Sequence, residues 1–132
     1  MGFLDRFSAP LLSVLRIVSG LLFLEHGTTK LLSFPPTEMF AQPPEAGSII
    51  WIAGALELVG GALLTIGLFT RPVAFVLSGM MAVAYWTAHF PQAFYPVQNQ
   101  GDAAILFCFI FLYISATGAG PWSVDRAISK KA

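Results

Sequence analysis

Between Arg16 and Leu32 the chain runs through a segment apolar enough to enter a bilayer, yet this segment carries Arg16, Glu25, His26 and Lys30. A charged side chain at the membrane centre costs about 2.5–3.5 kcal/mol on insertion scales, and less toward the edges. Several left unpaired would cancel much of the gain from burying the neighbouring leucines. The fold must therefore supply partners, a water-filled cavity or a route to the interface.

The rest of the sequence favours a bilayer as the solvent. Of the 132 residues, 56% are hydrophobic and 11% are charged, where a soluble domain carries about 25% charged residues. Mean hydropathy is +0.73. The length fits one domain, 1–132. Net charge is zero, with no basic block and no glycine-rich phosphate loop, so nothing points to nucleic acid. Cys108 stands alone, which excludes a disulfide or a dithiol pair within one chain. The N-terminus lacks the Ser/Thr of a myristoylation signal at position 6. No small-x-small cleavage site follows the first apolar run, which reads as a retained span.

Hydropathy and breakers predict an all-α, four-transmembrane-helix bundle with spans at about 10–32, 49–69, 72–90 and 102–119. Pro35-Pro36 and Pro43-Pro44 break the chain after the first span. Thr70-Arg71-Pro72 makes a tight connection, and Gly118-Ala119-Gly120-Pro121 closes the last span. Four crossings place both termini on one side. Arg6, Arg71, Arg126, Lys130 and Lys131 flank that side, and Lys30 alone flanks the other. By the positive-inside rule both termini are expected in the cytoplasm, in a multi-pass protein of the cell (inner or plasma) membrane.

At 100° per residue, Arg16, Gly20, Phe23, Gly27 and Lys30 share one stripe of the first helix, His26 flanks it and Glu25 points away. Gly54, Glu57, Gly60 and Gly61 share a side of the second helix, where small residues permit close approach. Ser78, Ala82, Tyr85 and His89 align on the third, and Asp102, Phe109 and Tyr113 on the fourth. The reading is a polar cavity opening outward. Arg16 and Glu57 form its floor, His26, Lys30, His89, Asn99 and Asp102 lie above them, and Phe90, Phe94 and Tyr95 are placed to stack on a flat ring. These seven polar residues are the candidate ligand-binding set. A structural Arg16–Glu57 ion pair, helix packing by His26 and helix capping by Asp102 are the competing plain readings. No metal-ligand spacing such as H-E-x-x-H occurs, so no metal site is assigned. Glu25 requires another neighbour, interfacial water or a second subunit.

The ordered set of motifs resembles the DoxX family of small four-helix membrane proteins. The likeness is carried by Leu15-Arg16 with Gly20 and Phe23, by His26-Gly27-x-x-Lys30-Leu31, and by Gly54-x-x-Glu57-x-x-Gly60-Gly61 with Leu64 and Gly67. It continues through Pro96-x-x-Asn99-x-Gly101-Asp102 and Gly118-x-Gly120-Pro121-x-Ser123-x-Asp125. Asp102 stands where the family often has Glu. The resemblance implies an accessory subunit of a quinone-linked membrane redox system, with quinone as the candidate cofactor and other membrane redox subunits as partners. It does not imply dithiol chemistry here, because Cys108 is alone. A small-solute or proton-coupled transporter, oligomeric because four helices enclose little volume, is the alternative. A non-catalytic assembly scaffold is a third reading.

Overall fold

A computed structural model describes residues 2–131, and its regular elements among these are all helical. A 3-10 turn, Gly2–Phe7, leads into α1, Ser8–Leu32. α2 is Ile49–Ile66 and α3 is Thr70–Ala84. A π-helical turn, Tyr85–His89, and a 3-10 turn, Phe90–Gln92, extend α3. The short α4, Pro96–Asn99, precedes α5, Asp102–Thr117, and α6, Val124–Lys131, follows.

Local chemistry sets these boundaries. The Ser48 hydroxyl accepts from Trp51 N–H (3.2 Å) and caps the start of α2. Gly67 ends α2 in the left-handed conformation (φ 73°), where a side chain would be strained. α2 is therefore shorter than the expected 49–69, and α3 starts at Thr70 with Pro72 in its first turn. α1 begins two residues ahead of Pro10, and α6 forms beyond the last expected span.

Among the described residues, three helical stretches are long and apolar enough to cross a membrane: Gly2–Leu32, Ile49–Ile66 and Thr70–Gln92. α5 is apolar but has 16 residues, about 24 Å of helix. The outward faces are greasy: Val59, Phe75, Leu106 and Phe109 are each at least 60% exposed. A surface of this kind suits acyl chains rather than water.

The helices assemble as two antiparallel pairs. α1 lies on α2 through glycines: a Cβ at Gly27 would sit 2.5 Å from Leu58 N, and one at Gly61 would sit 2.5 Å from Leu24 N. The backbones therefore touch directly, the arrangement that substitutes for a hydrophobic driving force inside lipid. α3 pairs with α5, where the Ser78 hydroxyl donates to Cys108 C=O (2.7 Å). Between the pairs lie Phe23, Leu64, Ala74, Leu77, Met81, Ala104, Phe111 and Ile114. Phe23 meets Phe111 edge-on at 5.0 Å, joining α1 to α5.

Candidate functional site

The glycine contacts fix the register that positions the polar groups. Gly27 packs on Glu57 and Leu58, and Gly54 packs on Lys30 and Leu31. Each glycine lies three residues before a charged residue and admits the opposite helix's charged position. Lys30 Nζ and Glu57 Oε1 consequently meet at 2.6 Å. Glu57 is 3% exposed and sits at the middle of α2. Its other oxygen, Oε2, is buried without a hydrogen-bond partner. The Lys30 side chain keeps 19% of its surface open, and Nζ lies 6.0 Å from the centre of the Phe40 ring.

Arg16 does not reach Glu57. It lies 11 residues before Gly27, about 16 Å along α1, beyond the span of an arginine side chain. Its fully buried guanidinium instead donates to Leu64 C=O (2.8 Å), Ala119 C=O, Trp122 C=O (2.7 Å) and Thr65 C=O (3.4 Å). The last carbonyls of a helix lack intrahelical partners and carry the negative end of its dipole. Arg16 takes up two of those of α2, Leu64 and Thr65, and ties them to the return segment between α5 and α6. The expected Arg16–Glu57 floor is thus two separate sets of polar groups at two levels of the bundle.

The Arg16 end is a system of reciprocal caps. Asp125 Oδ1 and Oδ2 accept from Phe69 and Thr70 N–H (2.9 Å each), so α6 supplies the carboxylate that caps α3. Burial opposes its ionisation, but the hydrogen bonds from Thr70 and Phe69 and the Arg16 charge hold the Asp125 carboxyl below the usual carboxylate range. Arg71 donates to Ser115, Ala116 and Thr117 C=O at the end of α5 (3.2, 2.5 and 3.3 Å). Ser13 Oγ accepts from Trp122 N–H (3.1 Å). A cavity of about 680 Å³ opens here, bordered by Arg71, Asp125 and Arg126.

The other predicted site residues are arranged as follows. Asn99 is fully buried and clasps the outer loop: its amide donates to Ala93 C=O (3.0 Å) and Tyr85 Oη (3.4 Å), and its Oδ1 accepts from Gly101 N–H (2.8 Å). His89 Nδ1 donates to Asn99 C=O (3.0 Å), since a carbonyl can only accept, and its ring stacks on Tyr85. Asp102 is exposed in the first turn of α5, where the helix dipole favours a carboxylate, but Gly101 is the N-cap and the Asp102 side chain makes no capping hydrogen bond. Phe109 and Tyr113 face outward, so the predicted stripe of the fourth helix does not line the interior. His26 is exposed, with the edge of its ring on Phe107 at 6.4 Å. Among the described residues no cluster of His, Cys, Asp and Glu could hold a metal ion.

Asp125 stood in a quoted motif without a role, and nothing in the residue pattern marked Arg16 as a carbonyl ligand, because its partners and those of Asp125 are backbone groups that leave no trace in composition. The Lys30–Glu57 pair did leave one: two antiparallel helices carrying Gly-x-x-Lys and Gly-x-x-Glu.

An all-helical chain with a lipid-type surface, a glycine-packed helix pair and an ion pair between its helices is a membrane protein. It belongs to the DoxX family, whose model matches residues 11–90. An uncharacterized protein of Haemophilus influenzae is 38% identical over 99% of this chain and 100% of its own length. "Putative oxidoreductase CatD" of Bacillus subtilis is 24% identical over 89% of this chain and 86% of its own. "Inner membrane protein YqjF" of Escherichia coli is 26% identical over 89% and 92%. No solved structure matches the chain.

Proposed function

We propose that this chain is an accessory subunit of a quinone-linked redox system in the cell membrane, and that the Lys30–Glu57 pair is its polar contact with the quinone. In this reading the chain crosses the bilayer four times with both termini in the cytoplasm, which puts the pair in the outer half. The observation that carries the proposal is Glu57 Oε2, a buried carboxylate oxygen with no donor. Leaving such an atom unsatisfied is costly, and an O–H donor relieves that cost. A quinol hydroxyl is such a donor. Lys30 has three N–H groups, of which one is spent on Glu57; another can donate to a quinone carbonyl. Phe40 offers a flat apolar face near the ammonium. The oxidoreductase name of the Bacillus relative supports the redox half of the reading.

The test is to purify the protein in mild detergent, extract it with organic solvent and titrate it with a short-chain quinol. Co-purified quinone, or saturable quinol binding lost in the Glu57→Leu/Lys30→Met double variant, is the expected result. No extractable quinone together with no saturable binding would overturn the proposal.

A further inference from the structure

Glu25 has no role in the folded monomer. Its side chain is exposed, and among the described residues its carboxylate has neither a hydrogen bond nor an ion pair. It is also deep. Gly27 packs at the level of Glu57 and Leu58, the centre of α2, so Glu25 lies within about 4 Å of that level along the helix axis. A carboxylate facing acyl chains at this depth is strongly disfavoured, and intramembrane acids face a partner or a cavity. The adjacent His26 is exposed as well.

These two residues end an apolar ridge that the monomer leaves uncovered. Leu11, Leu15, Val18 and Leu22 follow one another at steps of four, three and four, and are 51%, 36%, 50% and 45% exposed. Glu25 and His26 continue the ridge three and four residues beyond Leu22. On a 100° helical wheel they fall about 50° to either side of its mean direction. A two-fold axis parallel to the helix carries one flank of the ridge against the opposite flank of its copy. The face is thus complementary to itself in charge, an acid on one flank and a base on the other at nearly the same depth.

We propose that α1 pairs in parallel with α1 of a second copy of this chain about such an axis. Leu11, Leu15, Val18 and Leu22 fill the seam, and Glu25 of each copy meets His26 of the other. The pairing removes the unpartnered acid from lipid without any group that the chain does not carry. A subunit of different sequence would need to bring its own cation to that depth.

Two experiments on the full chain decide the matter. In membranes carrying a Cys108→Ser background, oxidation is expected to cross-link Leu22→Cys into a covalent dimer, while Val59→Cys, 60% exposed on α2, stays monomeric. By native mass in mild detergent, the unaltered protein is expected to be dimeric. Glu25→His or His26→Glu alone weakens the dimer about tenfold or more, the loss of two interhelical polar contacts. The swap Glu25→His/His26→Glu restores it. Cross-linking at position 22 no greater than at position 59 overturns the proposal, as does a monomeric or hetero-oligomeric native mass, or single variants that dimerise like the parent. The cross-link uses the native Glu25 and His26, so it decides the question even where a charge variant fails to fold.

Discussion

Removing the Lys30 ammonium while keeping Glu57 strands a carboxylate at the middle of α2. Breaking one side of a buried pair costs about 3–5 kcal/mol, whereas replacing both partners with apolar residues of similar volume is often neutral. Lys30→Met is therefore expected to lower thermal stability in detergent sharply, and Lys30→Met/Glu57→Leu to recover most of it. Equal losses in the single and double variants would show that the charges are not coupled. Asp125 makes a different prediction, because its role is to cap and it lies beyond α5. Its folded pKa is below the ordinary value of 3.8. It therefore contributes stability that is present above that value and lost as pH falls through the lowered one. The stability gap between the parent and Asp125→Asn is expected to be full at neutral pH and to close progressively below about pH 4. Melting curves across that range check it; a constant gap would mean that the carboxylate charge is irrelevant to the cap.

The helices themselves were the most legible part of the sequence, since hydropathy and breakers placed three long spans close to where they form. Their angular faces were legible too: Phe23, Gly27, Gly54 and Glu57 are all buried. What periodicity cannot give is the axial offset between two helices. That offset decided which base Glu57 meets, and it set Lys30 rather than Arg16 opposite it. Arg16 was misread for a second reason: its partners are carbonyls, which every residue owns. The offset rests on backbone contact, so a methyl group should reveal it. Gly27→Ala drives a Cβ into Leu58 N and is expected to cost about 1–3 kcal/mol or more through helix separation. Gly79→Ala on α3 meets nothing within 4 Å and is expected to be neutral or to gain about 0.5–1 kcal/mol. Comparing their melting temperatures is the check, and similar shifts would contradict a backbone-contact interface.

At the scale of the molecule, helix length and register together imply how the protein sits in lipid. α2 is 18 residues and α5 is 16, about 27 and 24 Å, against an average hydrocarbon core of about 30 Å. α1 has 25 residues, and the Gly27–Leu58 and Leu24–Gly61 contacts bring Ile66, the end of α2, level with about Ser19. The first turns of α1 therefore run on past α2, beside the Gly118–Ser123 return that Ser13 and Arg16 hold. The same offset explains why a fully buried arginine is tolerated: its guanidinium sits where α2 ends, next to the exposed Trp122 that marks an interface. A bilayer matched to the shorter helices would lodge the surplus of α1 in its headgroup region. Mismatch costs a fraction of a kcal/mol per ångström, so thermal stability in reconstituted phosphatidylcholine should be highest in bilayers thinner than about 30 Å and decline as the acyl chains lengthen. Stability rising steadily with chain length would mean that α1, not α2 and α5, sets the span, and that Arg16 lies inside the hydrocarbon after all.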